Sequence, residues 1–325
     1  VRKDSFETLY KTYAAYRNTI AASYATSVKG DIFYARAHGY QSAQQAAMDA
    51  ENIPPAVYSN LVSTVESRLD LMQRYLRVRK RLLGLDELHM YDTYAHLIPD
   101  AKKEIPYDQA RATVLHAVQV LGGDYHDAVE HGFTSRWVDV YETPGKASGA
   151  YSSGSYGTHP FILMNFQDDL DGVYTLAHEL GHSMHSYYTR ATQPPVYSDY
   201  SLFVAEVASI TNEALLTNHL LRQDMDVETR KALLNNELEK YRGTLFRQTM
   251  FAHFEADTHR LAEAGEALTS EALNKLYYDL VVKYFAPGTI VDDAIAFEWS
   301  RIPHFYRAFY VYQYATGISA ATALA

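Results

Sequence analysis

Two histidines and a glutamate have the spacing of residues that hold a metal ion and use it for hydrolysis. They belong to the pentapeptide His178-Glu179-Leu180-Gly181-His182. On a helix, residues four apart share a face, so both imidazoles can reach one tetrahedral Zn²⁺. Glu179 lies beside them and can take the proton of a metal-bound water. The pentapeptide is a zinc-hydrolase signature, and its Gly181 indicates close packing against another backbone.

A catalytic zinc with two histidines and a water needs a third protein ligand. His185 is a poor candidate because it lies two turns from His178 on the same helix, and we expect a buried, hydrogen-bonded histidine there. A helix predicted over 202–222 places Glu206 and Glu213 on one line, where buried carboxylates would be costly without a cation. We predict Glu206 as the ligand and Glu213 as the acceptor that orients a ligand histidine. The alternative makes Glu213 the ligand.

Helical periodicity dominates the chain and predicts a mostly α-helical fold. Between Pro144 and Phe166, glycine- and serine-rich turns surround two β-like runs, 149–152 and 161–165. They predict one small sheet beside the helix that carries the pentapeptide. The predicted helices, punctuated by proline and glycine, cover 4–30, 41–51, 55–84, 107–121, 124–140, 170–190, 202–222, 227–264, 270–284 and 296–325.

The composition is that of a globular protein: 325 residues, 47% hydrophobic and 21% charged, with a formal net charge of -10. The basic run 74–81 is most simply a solvated helix face, so we predict no nucleic-acid partner. Cysteine is absent, which excludes disulfides and cysteine-ligated zinc and is compatible with a cytoplasmic location. No apolar run reaches 18 residues, so we predict no membrane partner.

Several motifs in order resemble oligoendopeptidase F, the bacterial branch of the thimet oligopeptidase and neurolysin family of zinc metallopeptidases. They are Gly149-Ala150-Tyr151, residues 159–166, 178–185 and 203–209, Arg247 to Phe251 with Phe254-Glu255, and Tyr310 to Gly317. The resemblance covers essentially the whole chain and implies a multi-helix, zincin-type catalytic domain. It implies zinc ligation by His178, His182 and Glu206, with Glu179 as general base.

The resemblance also implies a histidine and tyrosines late in the chain that bind the substrate carbonyl and stabilise the oxyanion. They match His304 and the cluster Tyr306, Tyr310 and Tyr312, among which we favour His304 and Tyr312. Phenols suit this role because they donate a hydrogen bond without ionising. In zinc peptidases an edge strand holds the substrate backbone by β-augmentation, and 149–151 is placed to do so.

These observations predict a zinc-dependent endopeptidase that cleaves internal bonds of short oligopeptides, with one Zn²⁺ per chain. We expect 1–325 to be a single helical catalytic region without a dividing linker. Residues 1–143 would form a helical wall, and 144–325 would supply the β-element and the zinc- and substrate-binding helices. The chain starts without Met and family members are longer, so an N-terminal part, with any targeting signal, is expected to be missing. The alternatives are a related helical zinc carboxypeptidase or peptidyl-dipeptidase, and a non-catalytic zinc-binding scaffold.

Overall fold

The structure is a computed structural model that describes residues 1–98 and 104–325. Helices dominate, which confirms the mostly α-helical fold. Before the sheet the helices are α1 (Arg2–Ala15), α2 (Arg17–Ala37), α3 (Ala43–Asp49), α4 (Pro55–Glu66), α5 (Leu69–Leu82), α6 (Tyr107–Val118) and α7 (Gly123–Thr134). After it they are α8 (Leu170–Thr192), α9 (Leu202–Leu221), α10 (Val227–Lys240), α11 (Arg247–Glu263), α12 (Ser270–Phe285) and α13 (Tyr312–Leu324).

Several helices begin where the sequence supplies a suitable first residue. Ser42, Asp169 and Thr269 each accept a backbone N–H from the first turn of α3, α8 and α12, which satisfies a donor that lacks a partner inside the helix. Pro55 opens α4, where its missing N–H costs nothing. For α8 the acceptor is Asp169 Oδ1 and the donor is Gly172 N–H at 2.8 Å. The side chain of Asp169 therefore defines where the helix that carries the pentapeptide begins.

The chain forms two compact units. The first unit comprises Val1–Leu97 with Leu238–Ala315, and the second unit comprises Ile98–Glu237 with Thr316–Ala325. The expected division into a wall of 1–143 and a site region of 144–325 stays a prediction.

Aromatic side chains form much of the core of the first unit. The ring of Phe254 lies 6.1 Å from that of Tyr24, 5.3 Å from that of Tyr277 and 5.1 Å from that of Phe305, measured between centroids. All four are buried. These rings therefore stabilise the fold by burial of aromatic area.

The second unit contains a sheet of three short strands, β1 (Val138–Asp139), β2 (Tyr151–Ser153) and β3 (Phe161–Leu163). The central strand is β3; β1 pairs with it in parallel and β2 antiparallel. The sheet contacts α8, which confirms the sheet expected beside that helix. Ile162 of β3 and the apolar face of α8 share one buried core, to which α8 contributes Val173, Leu176, Leu180 and Met184.

The prediction of a helix over 124–140 was wrong beyond Thr134, where the helix ends. Arg136 adopts a left-handed backbone with φ of 64°, which a continuing helix does not allow. The indole of Trp137 then packs so tightly on α7 that a Cβ at Gly132 would lie 2.6 Å from it. The following residues form β1, and Val138 pairs with Ile162.

The single helix predicted over 296–325 was wrong in its first half. Residues 293–301 and 303–306 form short 3₁₀ helices, and α13 begins only at Tyr312. Pro303 cannot donate a helical hydrogen bond. Phe309 has a left-handed φ of 55°, so the chain turns sharply just before α13.

Three other predicted helices are present but interrupted. The helix of 4–30 is divided at Tyr16, and that of 55–84 between Glu66 and Leu69. The helix of 227–264 contains a π-helical segment, Tyr241–Phe246. None of the helices formed by the described residues is long and apolar enough to cross a membrane.

The basic run on α5 is only partly a solvated face. Arg79 is buried, and its guanidinium donates to the Glu239 carboxylate at 2.7 Å. It also donates to the backbone oxygen of Asp92 at 3.2 Å. The expectation of a solvated face was therefore wrong for Arg79, which is a buried ion-pair partner.

Candidate metal centre

The site is built on α8 and α9, which approach each other unusually closely. A Cβ built on Gly181 would lie 2.5 Å from Ser209 Cα and 2.7 Å from the backbone oxygen of Ala208. No side chain fits in that space, so only glycine allows this approach. Across the same contact, Asn212 Nδ2 donates to the backbone oxygen of Ala177 at 3.1 Å. The close backbone packing expected from Gly181 is confirmed.

Three ligand atoms converge on the face of α8 that points towards α9. The Nε2 atoms of His178 and His182 are 3.2 Å apart. Glu206 Oε2 lies 3.4 Å from the first and 3.6 Å from the second. Bonds of about 2.0–2.1 Å at tetrahedral angles would separate ligand atoms by about 3.3 Å. Two imidazole nitrogens and a carboxylate oxygen at these separations fit a zinc ion.

Glu213 contacts Nδ1 of His178, the ring nitrogen opposite the Nε2 atom described above. Its Oε1 lies 2.6 Å from His178 Nδ1. An ionised carboxylate can only accept, so Nδ1 carries the proton and donates it. This tautomer leaves the Nε2 lone pair of His178 directed at His182 and Glu206. The geometry favours Glu206 as the ligand and Glu213 as the residue that orients a ligand.

Burial and charge act differently on the two histidines. Burial opposes protonation of His178, but its hydrogen bond to Glu213 and the charges of Glu213 and Glu206 hold its pKa above the ordinary value. For His182, burial and the neighbouring His178 lower the pKa. A neutral imidazole is the form that binds a metal, so the environment of His182 already favours the binding form.

Glu179 lies on α8 beside the ligand atoms but is turned towards the sheet. Its carboxylate is largely buried, and the backbone N–H of Ser152 in β2 favours its ionised form. Burial raises the pKa of Glu179, while His178 and the Ser152 hydrogen bond lower it and Glu206 raises it; the net pKa lies above the ordinary value. A carboxylate with a raised pKa accepts a proton more readily near neutral pH.

The strand β2 lies at the edge of the sheet. On the side that faces away from β3, its backbone groups pair with no other strand of the described residues. Ile162 N–H donates to the backbone oxygen of Trp137, so the backbone groups of Ile162 face β1. Ser152 lies opposite Ile162, and its N–H and C=O therefore point away from β3. The residues predicted to hold a substrate backbone are the first residue of this strand and the two before it, Tyr151, Ala150 and Gly149.

His185 does not join the ligand atoms, as expected from its position along α8. Its ring stacks on that of Tyr200, with centroids 3.5 Å apart and an interplanar angle of 5°. Its Nδ1 is buried and has no hydrogen-bond partner among the described residues. The expectation of a hydrogen-bonded histidine was therefore wrong for this atom, and stacking holds the ring instead.

The residues predicted to bind the substrate carbonyl belong to the first unit, whereas the three ligand residues belong to the second. They are His304, Tyr306, Tyr310 and Tyr312. The rings of His304 and Tyr310 are parallel with centroids 6.0 Å apart. The Tyr310 hydroxyl lies 3.0 Å from that of Tyr314. His304, Tyr310 and Tyr314 thus form one cluster of polar rings.

Tyr306 and Tyr312 have contrasting surroundings. Tyr306 is exposed, and its ring meets that of Tyr24 edge-on at 6.0 Å. Tyr312 is 1% exposed and packs against Tyr58, with ring centroids 5.0 Å apart. Burial raises the pKa of Tyr312 to about 12, so it stays a protonated donor at neutral pH.

Three residues near these groups were not predicted from the sequence. Ser209 Oγ donates to Glu206 Oε2 at 2.9 Å. This contact could have been predicted, because Ser209 follows Glu206 by three residues on one helix and such residues are neighbours. Tyr314 follows Tyr310 by one turn and could have been found in the same way. Ser152 contacts Glu179 through a strand pairing that no local pattern reveals.

A helical fold with a His-Glu-x-x-His helix, a carboxylate from the following helix and a strand edge beside them is the architecture of a zincin-type metallopeptidase. The chain belongs to peptidase family M3, since the model of that family matches residues 1–325. A family of metallopeptidases implies a metal cofactor, and the three ligand atoms form a suitable site.

Curated relatives match the whole chain but are longer. The chain is 52% identical over 324 residues to "Oligopeptidase PepF" of Bacillus subtilis, covering 100% of the chain and 48% of that protein. It is 47% identical over 325 residues to "Group B oligopeptidase PepB" of Streptococcus agalactiae, covering 100% of the chain and 54% of that protein. The chain thus spans about half the length of these curated relatives.

A solved structure shows the same fold. The crystal structure of oligoendopeptidase-F from Enterococcus faecium superposes with a TM-score of 0.78 at 37% sequence identity. The match covers 99% of this chain and 51% of that one.

Proposed function

We propose that the protein is a zinc-dependent endopeptidase that hydrolyses internal bonds of short oligopeptides. The observation that carries the proposal is the convergence of His178 Nε2, His182 Nε2 and Glu206 Oε2 within 3.6 Å of one another, beside Glu179. These three residues would hold one zinc ion per chain, and Glu213 would keep His178 in the binding tautomer. When bound, zinc supplies a Lewis acid that acidifies water and polarises a carbonyl.

The remaining chemistry belongs to side chains and backbone of this chain. Glu179 takes a proton from the attacking water and passes it to the departing amine. Gly149, Ala150 and Tyr151, at the start of β2, hold the substrate backbone extended. From the family resemblance we assign hydrogen-bond donation to the developing oxyanion to His304 with Tyr310 or Tyr312, and substrate binding to Tyr306.

Two findings support this proposal beyond the geometry. The family is one of metallopeptidases, and relatives of high identity carry the name oligopeptidase. Short peptides as the partners and a cytoplasmic location belong to the same proposal. Because the chain spans about half of those relatives, the activity is proposed for the full-length protein.

The test combines product mapping with a variant of the base. The full-length, zinc-loaded protein should cut an internally quenched peptide at internal bonds, as mapped by mass spectrometry. Glu179→Gln should keep about one zinc per chain and lose activity by about 10²- to 10⁴-fold, because it cannot accept the proton. Glu228→Gln changes an exposed glutamate of the same unit and should leave activity unchanged.

Other results would favour other functions. Exclusive removal of residues from the C-terminal end of peptides would identify a carboxypeptidase or a peptidyl-dipeptidase. Zinc binding without hydrolysis of any peptide would identify a non-catalytic scaffold. Near-normal turnover by Glu179→Gln would remove the assigned base.

A further inference from the structure

A carboxyl group outside the metal centre lies completely buried on α11. Glu255 has 0% exposed surface. In the described part of the chain no lysine, arginine or histidine forms an ion pair with it, and the charge of Asp31 opposes its ionisation and so raises its pKa. Burying a carboxyl without a cation is costly, so this position favours a role that an apolar residue cannot fill.

The principal partner of this carboxyl is a backbone amide 54 residues further along the chain. Glu255 Oε1 accepts the N–H of Phe309 at 2.8 Å. The second oxygen, Oε2, lies 3.5 Å from the Tyr58 hydroxyl, which has a shorter bond of 2.6 Å to the backbone oxygen of Ala252. The hydrogen bond from the Phe309 amide is therefore shorter than the contact between the Glu255 side chain and Tyr58.

Phe309 has a backbone conformation that a bulky residue rarely adopts. Its φ is 55°, in the left-handed region that favours glycine. Its ring is buried against Tyr58 and His259, with centroid distances of 5.6 Å and 4.6 Å. Strained residues persist where the surroundings over-determine them. Here ring packing fixes the side chain, and Glu255 fixes the amide.

The strained residue sits in the segment that carries the proposed carbonyl-binding groups. It follows the 3₁₀ helix of 303–306 and precedes α13, so its φ sets the direction in which the chain leaves His304 and enters Tyr310. The stacked rings of His304 and Tyr310 lie on the two sides of this turn. A different φ at Phe309 would move them relative to each other.

We propose that Glu255 is a positioning residue for peptide hydrolysis. By holding the left-handed turn at Phe309, it fixes where His304 and the oxyanion-binding phenol, Tyr310 or Tyr312, point. This inference rests on the proposed function, since these side chains matter for catalysis only if the protein is a peptidase.

The test compares Glu255→Gln with Glu255→Met in the full-length, zinc-loaded protein. Glutamine keeps a carbonyl acceptor in the same place, whereas methionine has similar length and only a weakly accepting sulfur for the amide. Glu255→Gln should keep kcat within about 3-fold, and Glu255→Met should lower it by about 10- to 100-fold because the donors are misplaced. The change in kcat should exceed that in KM, and zinc content should stay at the wild-type value.

Hydrogen exchange gives a readout that does not depend on activity. Exchange at the Phe309 amide should be faster in Glu255→Met than in the wild type and unchanged in Glu255→Gln. A merely structural role would lower the unfolding temperature and the active fraction together, without the split between kcat and KM. A second apolar variant, Glu255→Leu, keeps the comparison available if methionine does not fold.

The outcomes separate the two proposals. If the wild type cleaves peptides and Glu255→Met does so with unchanged kcat, the positioning role is overturned and the proposed function stands. The same conclusion follows if Glu255→Gln loses as much activity as Glu255→Met while the Phe309 amide stays protected. A wild type that cleaves no peptide overturns both proposals.

Discussion

At the scale of single residues, His178 shows how partners decide what a side chain can bind. Its Nδ1 proton is directed to Glu213, so its Nε2 lone pair is available beside His182. Glu206 is fixed in turn by Ser209. Each proposed ligand therefore reaches the site already oriented, which reduces the conformational entropy lost when a metal binds.

The first prediction for single residues distinguishes the role of Glu206 in zinc binding from that of Glu213. Glu206→Ala should abolish tight zinc binding because it removes a ligand atom. Glu213→Ala should weaken zinc binding by about 10- to 100-fold because it only releases the His178 ring. Competition with a chelating dye measures both, and Glu228→Ala, on an exposed face of the same unit, is the control. The reverse order of effects would make Glu213 the ligand.

A second prediction concerns which phenol stabilises the oxyanion. Tyr312 is nearly inaccessible, whereas Tyr310 is only half-buried and belongs to the cluster with His304. We therefore expect Tyr310→Phe to lower kcat by about 10²-fold with little change in KM or zinc content. Tyr312→Phe makes the same chemical change in a buried ring and should affect mainly stability. If only Tyr312→Phe lowers kcat, the oxyanion role belongs to Tyr312.

The sequence could predict the proposed ligand residues because their spacing along helices places them in space. A separation of four positions between His178 and His182 is enough to put both on one face of a helix. The role of Ser152 could not be predicted, since its contact with Glu179 depends on the pairing of Ser152 with Ile162. The burial of Tyr312 was equally hidden, because a tyrosine-rich segment gives no sign of which ring packs inward.

At the scale of elements, α8 and α9 were predicted to within two residues because each has a long apolar stripe. Two of the errors lie near residues other than glycine that adopt left-handed backbone. Arg136 ends the run that was predicted as a helix to residue 140, and Phe309 interrupts the helix predicted over 296–325. Neither residue type signals such a conformation, since tertiary contacts impose it.

The element-scale prediction concerns the contact between α8 and α9. Gly181→Ala would place a methyl group 2.5 Å from Ser209 Cα, so the helices must separate. We expect a loss of about 1–3 kcal/mol in the free energy of unfolding, together with weaker zinc binding because His178 and Glu206 move apart. Thermal unfolding and chelator competition measure the two effects.

A matched glycine supplies the control for that variant. Gly30 lies inside α2, and a Cβ there would meet nothing within 4 Å. Gly30→Ala should therefore stabilise by up to about 1 kcal/mol through helix propensity and leave zinc affinity unchanged. Wild-type zinc affinity in Gly181→Ala would show that the site tolerates a wider helix spacing.

At the scale of the whole molecule, the two compact units can be followed separately. The sequence contains two tryptophans; Trp299 belongs to the first unit and Trp137 to the second. Both are buried, so unfolding of each unit should change the fluorescence of its own tryptophan. Replacing either tryptophan by phenylalanine leaves one reporter per protein.

Beside Trp299, a buried carboxylate joins three elements of the first unit. Glu298 accepts from Arg247 at 2.7 Å, from Arg301 at 2.6 Å and from the Tyr277 hydroxyl at 2.6 Å. Burial alone would raise the pKa of Glu298, but Arg247 and Arg301 together hold it below the ordinary value. The folded state therefore releases this proton more readily than the unfolded state does.

The last prediction follows from the sign of that shift. A carboxyl with a depressed pKa contributes stability that is fully present above its unfolded pKa of about 4.3 and is lost as the pH falls through the folded value. Glu298→Gln in a Trp137→Phe background should lower the free energy of unfolding reported by Trp299 by about 3–5 kcal/mol at pH 7, since two half-buried arginines lose the charge of their buried partner. The difference from the Trp137→Phe parent should shrink between pH 5 and pH 3, as the parent loses the same contribution.

Urea unfolding followed by fluorescence measures this, and Glu228→Gln in the same background should show no difference at either pH. A difference that stays constant down to pH 3 would show that folding does not lower the pKa of Glu298.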